Sequence, residues 1–302
     1  MSPMDIQAWQ QRAPHPFPPP WASAWGDDAH GLWADAEVSV NGPPVVQRMR
    51  WIEPGQFLMG SPQGELDAQD REHPQHQVTI SQGLWLADTT CTQALWQAVM
   101  GSNHSQFIAK YKGSAEYPVN QVTWRMAQDF LHEIENLLPG CQATLPTEAE
   151  WENACRAGTT TPFSFGETVT PKQVNYDGAY AHGSGKKSDY LGPIITVKYL
   201  PPNAWGLHQM HGNVWEWCAD KFLEYNVDPV SDPGLDQAMN PQVGEDEAGR
   251  VRRGGSNVSV AKDVRSATRV HLQPGEHAGN SGFRFVLRSI NQTGTKPPGY
   301  LG

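Results

Sequence analysis

The side chains able to do redox or metal chemistry in this chain are few and scattered. Four cysteines, Cys91, Cys141, Cys155 and Cys218, lie far apart and form no C-x-x-C pair. That spacing suits buried free thiols in a reducing compartment better than a redox or metal centre. Two H-x-x-H pairs occur, His73/His76 and His208/His211. A zinc or iron site would need a third ligand, and none follows at sensible spacing. Pro74 lies inside the first pair, so its histidines do not share one helical face. Both pairs are expected to pack and hydrogen-bond. The stretch Val251 to Arg269, "VRRGGSNVSVAKDVRSATR", joins a glycine turn to closely spaced arginines, without a cysteine or an obvious nucleophile.

Several elements must position these residues. "QRMRWIEPGQFLMGS" alternates like a strand and stops at Gly60, and "HQVTISQGLWLAD" is a second strand-like run. "TQALWQAVMG" has helical apolar spacing with a glycine stop. "TWRMAQDFLHEIENLL" is the longest helical pattern, with Thr123 as N-cap and Pro139-Gly140 beyond its end. In "LPTEAEWENACRAGT", Thr147 and Glu150 spell a capping box and Gly158 is expected to close the helix. About a hundred weakly periodic residues follow, so irregular loops are expected there. The Pro-rich residues 1–45 read as an arm packed on the main body, 46–289 as one domain, and 290–302 as a loose tail.

Composition sets outer limits. The chain has 302 residues, 38% hydrophobic, with 12 Trp, 29 Gly and 25 Pro. Such a chain builds a loop-rich fold on aromatic packing. A formal charge of -10 repels phosphate backbones, which argues against a nucleic-acid partner. No apolar window is long enough to span a bilayer, and the start shows no secretory signal, so no membrane partner is expected and the location is read as cytoplasmic.

Six phrases occur in order: "GQFLMGS", "YPVNQVTW", "LPTEAEWENACRAG", "PPNAWGLHQMHGNVWEWCAD", "RRGGS" and "GNSGFRFV". Together they resemble the formylglycine-generating enzyme, or sulfatase-modifying-factor, family from Gln47 to Arg288. The resemblance implies an α+β fold, the family's variant of the C-type lectin fold. It does not carry the chemistry across. The generating enzymes use copper held by two cysteines after the "GGS" motif. Here Ser259 stands near the first of those positions, and no residue between Gly255 and Arg269 is Cys. A hydroxyl is neither a soft ligand nor a redox thiol, so no copper is expected. The iron motif H-x-x-x-H-x-E of the related sulfoxide synthases is missing too, so no iron is expected.

The resemblance also implies structural Ca2+. The matching positions are Asn175 and Asp189 for one site. For a second they are Gln209, Gly212, Val214 and Glu216, the glycine and valine through backbone carbonyls. The alternative is that these groups cap loops without metal.

From Asn257 to Arg284 the framework residues Arg265, Ser266, Ala267, Arg269, Pro274, Gly282, Phe283 and Arg284 match the family pattern. Departures cluster at Val258, Ser259, Val260, Asp263, Thr268, Val270, His271, Leu272, His277, Ala278 and Gly279. This clustering resembles the variable region of proteins diversified by retroelements, some of which use the same fold. Mutation at both adenines of an AAC codon reaches every residue except Lys, Glu, Gln, Met and Trp, and all these positions obey that rule. Drift after loss of catalysis gives the same pattern. The expected function is therefore binding of a protein or small-molecule ligand through a face containing Asn257 and the departing positions, with Ser259, Thr268, His271 and His277 in solvent. The alternatives are a metal-dependent oxidoreductase acting on a thiol or related molecule, and an accessory subunit docked through the Pro-rich arm.

Overall fold

The computed structural model describes residues 14–40, 42–105, 114–180, 182–188, 190–241 and 248–289. The expected tail, 290–302, lies outside the described residues, as do residues 1–13 of the arm.

Alternation builds the first strands. In β2, Gly31–Val38, the side chains of Leu32, Ala34, Ala36 and Val38 are buried and Glu37 faces water. Strand β1, Ala22–Asp28, and β3, Val45–Ile52, flank it with antiparallel register. The arm boundary at residue 45 is thus corrected. Residues 22–38 are two strands of the main sheet, and the cut falls inside β3, separating paired partners Glu37 and Val46. The sheet continues through β6, Leu84–Ala87, β13, Val286–Ser289, and β7, Cys141–Thr144, in the order β1-β2-β3-β6-β13-β7. Insertion of the last strand between β6 and β7 draws residues 281–289 into the middle of the fold.

A second sheet carries the candidate face. It comprises β8, Trp215–Lys221, β10, Arg250–Arg253, β11, Arg269–Leu272, and β12, Ser281–Gly282, in the order β11-β10-β8-β12. A third, smaller sheet joins β4, Gly55–Met59, β5, His76–Ile80, and β9, Val230–Ser231.

The helices start where capping chemistry places them. Thr92 Oγ1 accepts from Leu95 N at 3.1 Å and opens α1, Gln93–Met100, which ends at left-handed Gly101. Thr123 Oγ1 accepts from Met126 N and opens α2, Trp124–Leu137. Thr147 and Glu150 close a reciprocal capping box at α3, Glu148–Arg156. The left-handed C-cap of α3 is Ala157, one residue earlier than Gly158. A short α4 spans Leu235–Met239. Among the described residues, 157–214 hold no named helix or strand. No described helix is long and apolar enough to cross a membrane.

Candidate functional site

Neighbouring residues of a strand point to opposite faces. On β8, Glu216, Cys218 and Asp220 face α3, while Trp217 and Ala219 enter the core under α2. On β10, Arg253 joins the first group and meets Glu152; Arg250 and Arg252 join the second, lying over Trp124 and Trp217. The first face and the loops beside it hold a set of buried charge pairs. Arg269 grips Glu148 with Nε and Nη2 at 2.7 and 2.6 Å. Arg284 grips Glu216 in the same forked way, at 2.6 and 2.8 Å. Arg265 reaches Glu72 at 2.7 Å and Glu65. All these arginines are buried, together with Phe283. The framework residues therefore hold loops to sheet.

The departing positions divide. Val258, His271, His277 and Gly279 are exposed, and Ser259, Val260, Asp263, Val270, Leu272 and Ala278 are half-buried. Thr268 corrects the expectation of a solvent-facing side chain: it is fully buried, with Oγ1 donating to Lys262 O at 3.1 Å. Asn257 is also buried, and its Nδ2 donates to Tyr190 Oη at 3.1 Å and Gly192 O at 3.0 Å. The codon rule does not follow burial either, since Lys262, Gln273 and Glu276 are exposed.

Nor do these positions form one face. Asn280, next to Gly279, donates from Nδ2 to Ser256 Oγ at 2.7 Å, and Ser256 Oγ lies 3.2 Å from Ser259 Oγ. This joins 256–259 to 278–281 beside Trp215, whose backbone N–H donates to Asn280 O. His271 sits at the other end of the sheet, its ring 4.7 Å from that of Phe222. The six steps from Trp215 to Lys221 span roughly 20 Å at strand rise. Half-buried Leu272 packs into the core. The face thus contracts to Val258, Ser259 and the 277–280 loop, rimmed by Tyr190 and Leu191. Tyr190, Trp215, Arg252 and Asn280 were missed by sequence reasoning. Only Arg252 left a signal: two adjacent strand arginines must face opposite ways, so the buried pairs cannot absorb both. A separate cleft of about 540 Å³, lined in part by His30, Trp51, Phe57, Arg156 and Trp205, contains no residue from 257–280.

Three of the four paired histidines are engaged by backbone carbonyls. His76 Nδ1 meets Pro74 O at 3.0 Å, His208 Nδ1 meets Leu200 O at 3.0 Å, and His211 Nδ1 meets Val264 O at 2.7 Å. Cys155 Sγ lies 3.5 Å from His211 Nε2. Burial pushes the thiol up to about 12 and the imidazole down to about 4. Both are neutral at pH 7, so the pair has no thiolate to attack with. All four cysteines are buried and free.

The two calcium sets differ in fit. Glu216 Oε2 accepts from Trp151 Nε1 at 2.8 Å and from Arg284, which also holds Oε1. A guanidinium fixed on both oxygens opposes a dication, so Glu216 does not fit as a ligand. Gln209 is likewise engaged, with Nε2 donating to Thr196 O and Oε1 accepting from Asn213. Gly212 and Val214 lie either side of Asn213 in that turn. In the first set Asn175 Oδ1 is buried with no partner, an oxygen of the kind Ca2+ takes. Asp189 lies outside the described residues.

A family model described as the sulfatase-modifying factor enzyme 1-like domain matches residues 36–289. The chain belongs to this family. Its fold is accordingly the mixed α+β, C-type-lectin-like fold of sulfatase-modifying factors. Among curated relatives, the serine/threonine-protein kinase pkn1 of Chlamydia caviae is 29% identical over 271 residues, covering 83% of this chain and 39% of the relative. The formylglycine-generating enzyme of Streptomyces coelicolor is 34% identical over 182 residues, 57% of this chain and 53% of that enzyme. The chain spans only 39% and 53% of these relatives' lengths. Among solved structures, Treponema denticola variable protein 1 superposes with a TM-score of 0.65 at 25% identity, covering 84% of this chain and 99% of that one. PvdO from Pseudomonas aeruginosa shares the fold, with a TM-score of 0.64 at 24% identity over 80% of this chain and 94% of that one.

Proposed function

We propose that this sulfatase-modifying-factor domain is a non-catalytic binding module. Its binding face is the strip formed by Val258, Ser259 and residues 277–280. One observation carries the reading. Buried arginine–glutamate pairs fix the loops from behind, while Val258 and Ser259, at the start of the family's cysteine segment, are small, uncharged and open or half-open to solvent. Such a scaffold tolerates exchange of its surface residues without unfolding. Val258 is 59% exposed and follows Asn257, which holds the hydroxyl of exposed Tyr190, so apolar surface lies here among polar neighbours. Likeness to Treponema denticola variable protein 1 supports the same reading. Retroelement diversification is its finer form; a reverse-transcriptase gene and an Asn-codon-rich template repeat beside the coding DNA support that form, and a neighbourhood lacking both removes it.

The combined change Val258→Asp, Ser259→Ala and His277→Ala tests the face. Surface substitutions usually stay within about 0.5 kcal/mol each, so the melting temperature should move little. Capture of any partner recovered with the wild-type chain should be lost, while His271→Ala, at the far end of the sheet, should leave it intact. Unchanged capture by the triple variant ends the proposal. So does copper-dependent conversion of a sulfatase-type cysteine peptide, followed by mass, well above a metal-only control.

Calcium enters the proposal through Asn175. If Ca2+ binds only the folded chain, about a hundredfold excess over its dissociation constant adds roughly 2.7 kcal/mol. Melting in Ca2+ and in chelator should differ for wild type and coincide for Asn175→Ala. Coincident wild-type curves remove the ion.

A further inference from the structure

The buried arginines facing α3 have glutamate partners; Arg252, on the opposite face of the second sheet, does not. Among the described residues its guanidinium makes one hydrogen bond, from Nη1 to Ser281 Oγ at 2.6 Å. Its Nε is buried without a partner. Among the described residues no carboxylate lies within ion-pair distance of it. Glu276 acts on it through space, and burial still brings Arg252 down to about 10. The indoles of Trp215 and Trp217 lie 5.8 and 5.4 Å from its Cζ, and the residue is 9% exposed. A buried charge without a counter-ion is destabilising.

Position gives this cation a use. Ser281, which holds Arg252, follows Asn280, which holds Ser256 and through it Ser259. The guanidinium is thus tied to the face described above by two consecutive residues. The groups between are hydroxyls and amides, with no carboxylate among them. Asp177, whose backbone N–H meets Ser259 O, turns its own carboxylate onto Ala179 N. Val258, Tyr190 and Leu191 supply the apolar rim.

We propose that Arg252 anchors an incoming carboxylate, and that the ligand is a peptide bearing that carboxylate beside an apolar side chain. The proposal rests on the binding-face reading and names its chemistry. A single guanidinium among neutral donors matches one planar, singly charged group. A phosphate dianion would leave excess charge beside Glu276, on a chain already at -10.

The test titrates the full chain with acetyl-Leu-Asp-amide and its neutral isostere acetyl-Leu-Asn-amide, read by tryptophan fluorescence, since Trp215 and Trp217 adjoin the guanidinium. Saturable binding of the Asp peptide at millimolar concentration or below is expected, with the Asn peptide at least about tenfold weaker. Arg252→Gln should weaken the Asp peptide by a similar factor. Arg252→Lys, which keeps the charge and loses the fork, should fall between; it keeps the test open should the glutamine variant fail to fold. Acetyl-leucine asks whether a chain-terminal carboxylate serves as well as a side-chain one; binding of either fits the proposal. Equal binding of the Asp and Asn peptides, wild-type affinity in both Arg252 variants, or no binding of either carboxylate probe overturns it. Inorganic phosphate binding as tightly as the Asp peptide, with the same loss in Arg252→Gln, also overturns it. If these probes fail while the Val258 triple variant still loses its partner, the face stands and only the anchor falls.

Discussion

Replacing Glu152 by alanine is expected to cost about 3–5 kcal/mol, the range for leaving a buried charge without its partner. Glu152 lies fully buried on α3. Its Oε1 accepts from Gly60 N at 2.8 Å and from Arg156 Nε at 2.9 Å, and its Oε2 accepts from Arg253 Nη2. Arg253 in turn donates to Ala267 O at 2.8 Å and Ser266 O at 2.9 Å. One carboxylate therefore links the end of β4, helix α3, strand β10 and the 266–267 loop. Alanine leaves two guanidiniums facing each other's field in a dry interior. For a domain whose whole stability is about 5–15 kcal/mol, that is a large share. The pH dependence has a definite sign. Burial alone would raise the Glu152 carboxyl, but Arg156 and Arg253 hold it below its ordinary value. The contribution is thus present above the ordinary carboxylate range and lost as pH falls through the depressed folded value. Urea unfolding at neutral pH and melting across acid pH measure both parts. A loss under about 1 kcal/mol, or a wild-type advantage that grows in acid, would contradict the assignment.

Local chemistry was legible in the sequence, and long-range pairing was not. Thr123 and Thr147 each cap a helix through a bond spanning three residues, so a few letters suffice to see them. The pairing of β3 with β6, or of β13 with both β6 and β7, depends on partners that no local window contains. A proline-rich start therefore read as an arm although two sheet strands follow it. The irregular half was hidden for another reason. Its order comes from single side chains serving as backbone partners. Asn203 Oδ1 accepts from Trp205 N and Leu207 N while its Nδ2 donates to Ala154 O. Such knots leave no period. At the candidate face, residue type misled. By residue type Thr268 reads as solvent-facing and Asn257 as part of the binding face, yet each satisfies a backbone carbonyl from a buried position. Polar side chains inside a protein are common where they replace a missing ladder bond.

Phe283→Ala separates scaffold from surface. Phe283 is fully buried, with its ring 5.2 Å from that of Phe130 and 6.1 Å from that of Trp96, both edge to face. Its carbonyl accepts from Cys91 N at 2.8 Å, so the same residue tethers the segment before α1 to the last strands. Truncation removes the ring and leaves a cavity between two helices, at an expected cost of about 3–5 kcal/mol. The aromatic pairs alone account for about 0.5–1.5 kcal/mol each beyond area. Nothing in the change touches Val258, Ser259 or Arg252. Below its lowered melting temperature the variant should therefore capture a partner, or bind the carboxylate probe, in proportion to its folded fraction. The Val258 triple variant should show the opposite: native melting and no capture. Urea unfolding together with binding at two temperatures distinguishes them. A Phe283→Ala chain that stays fully folded yet loses binding would place the recognition surface around β13, and the division into a buried framework and a working face would not hold.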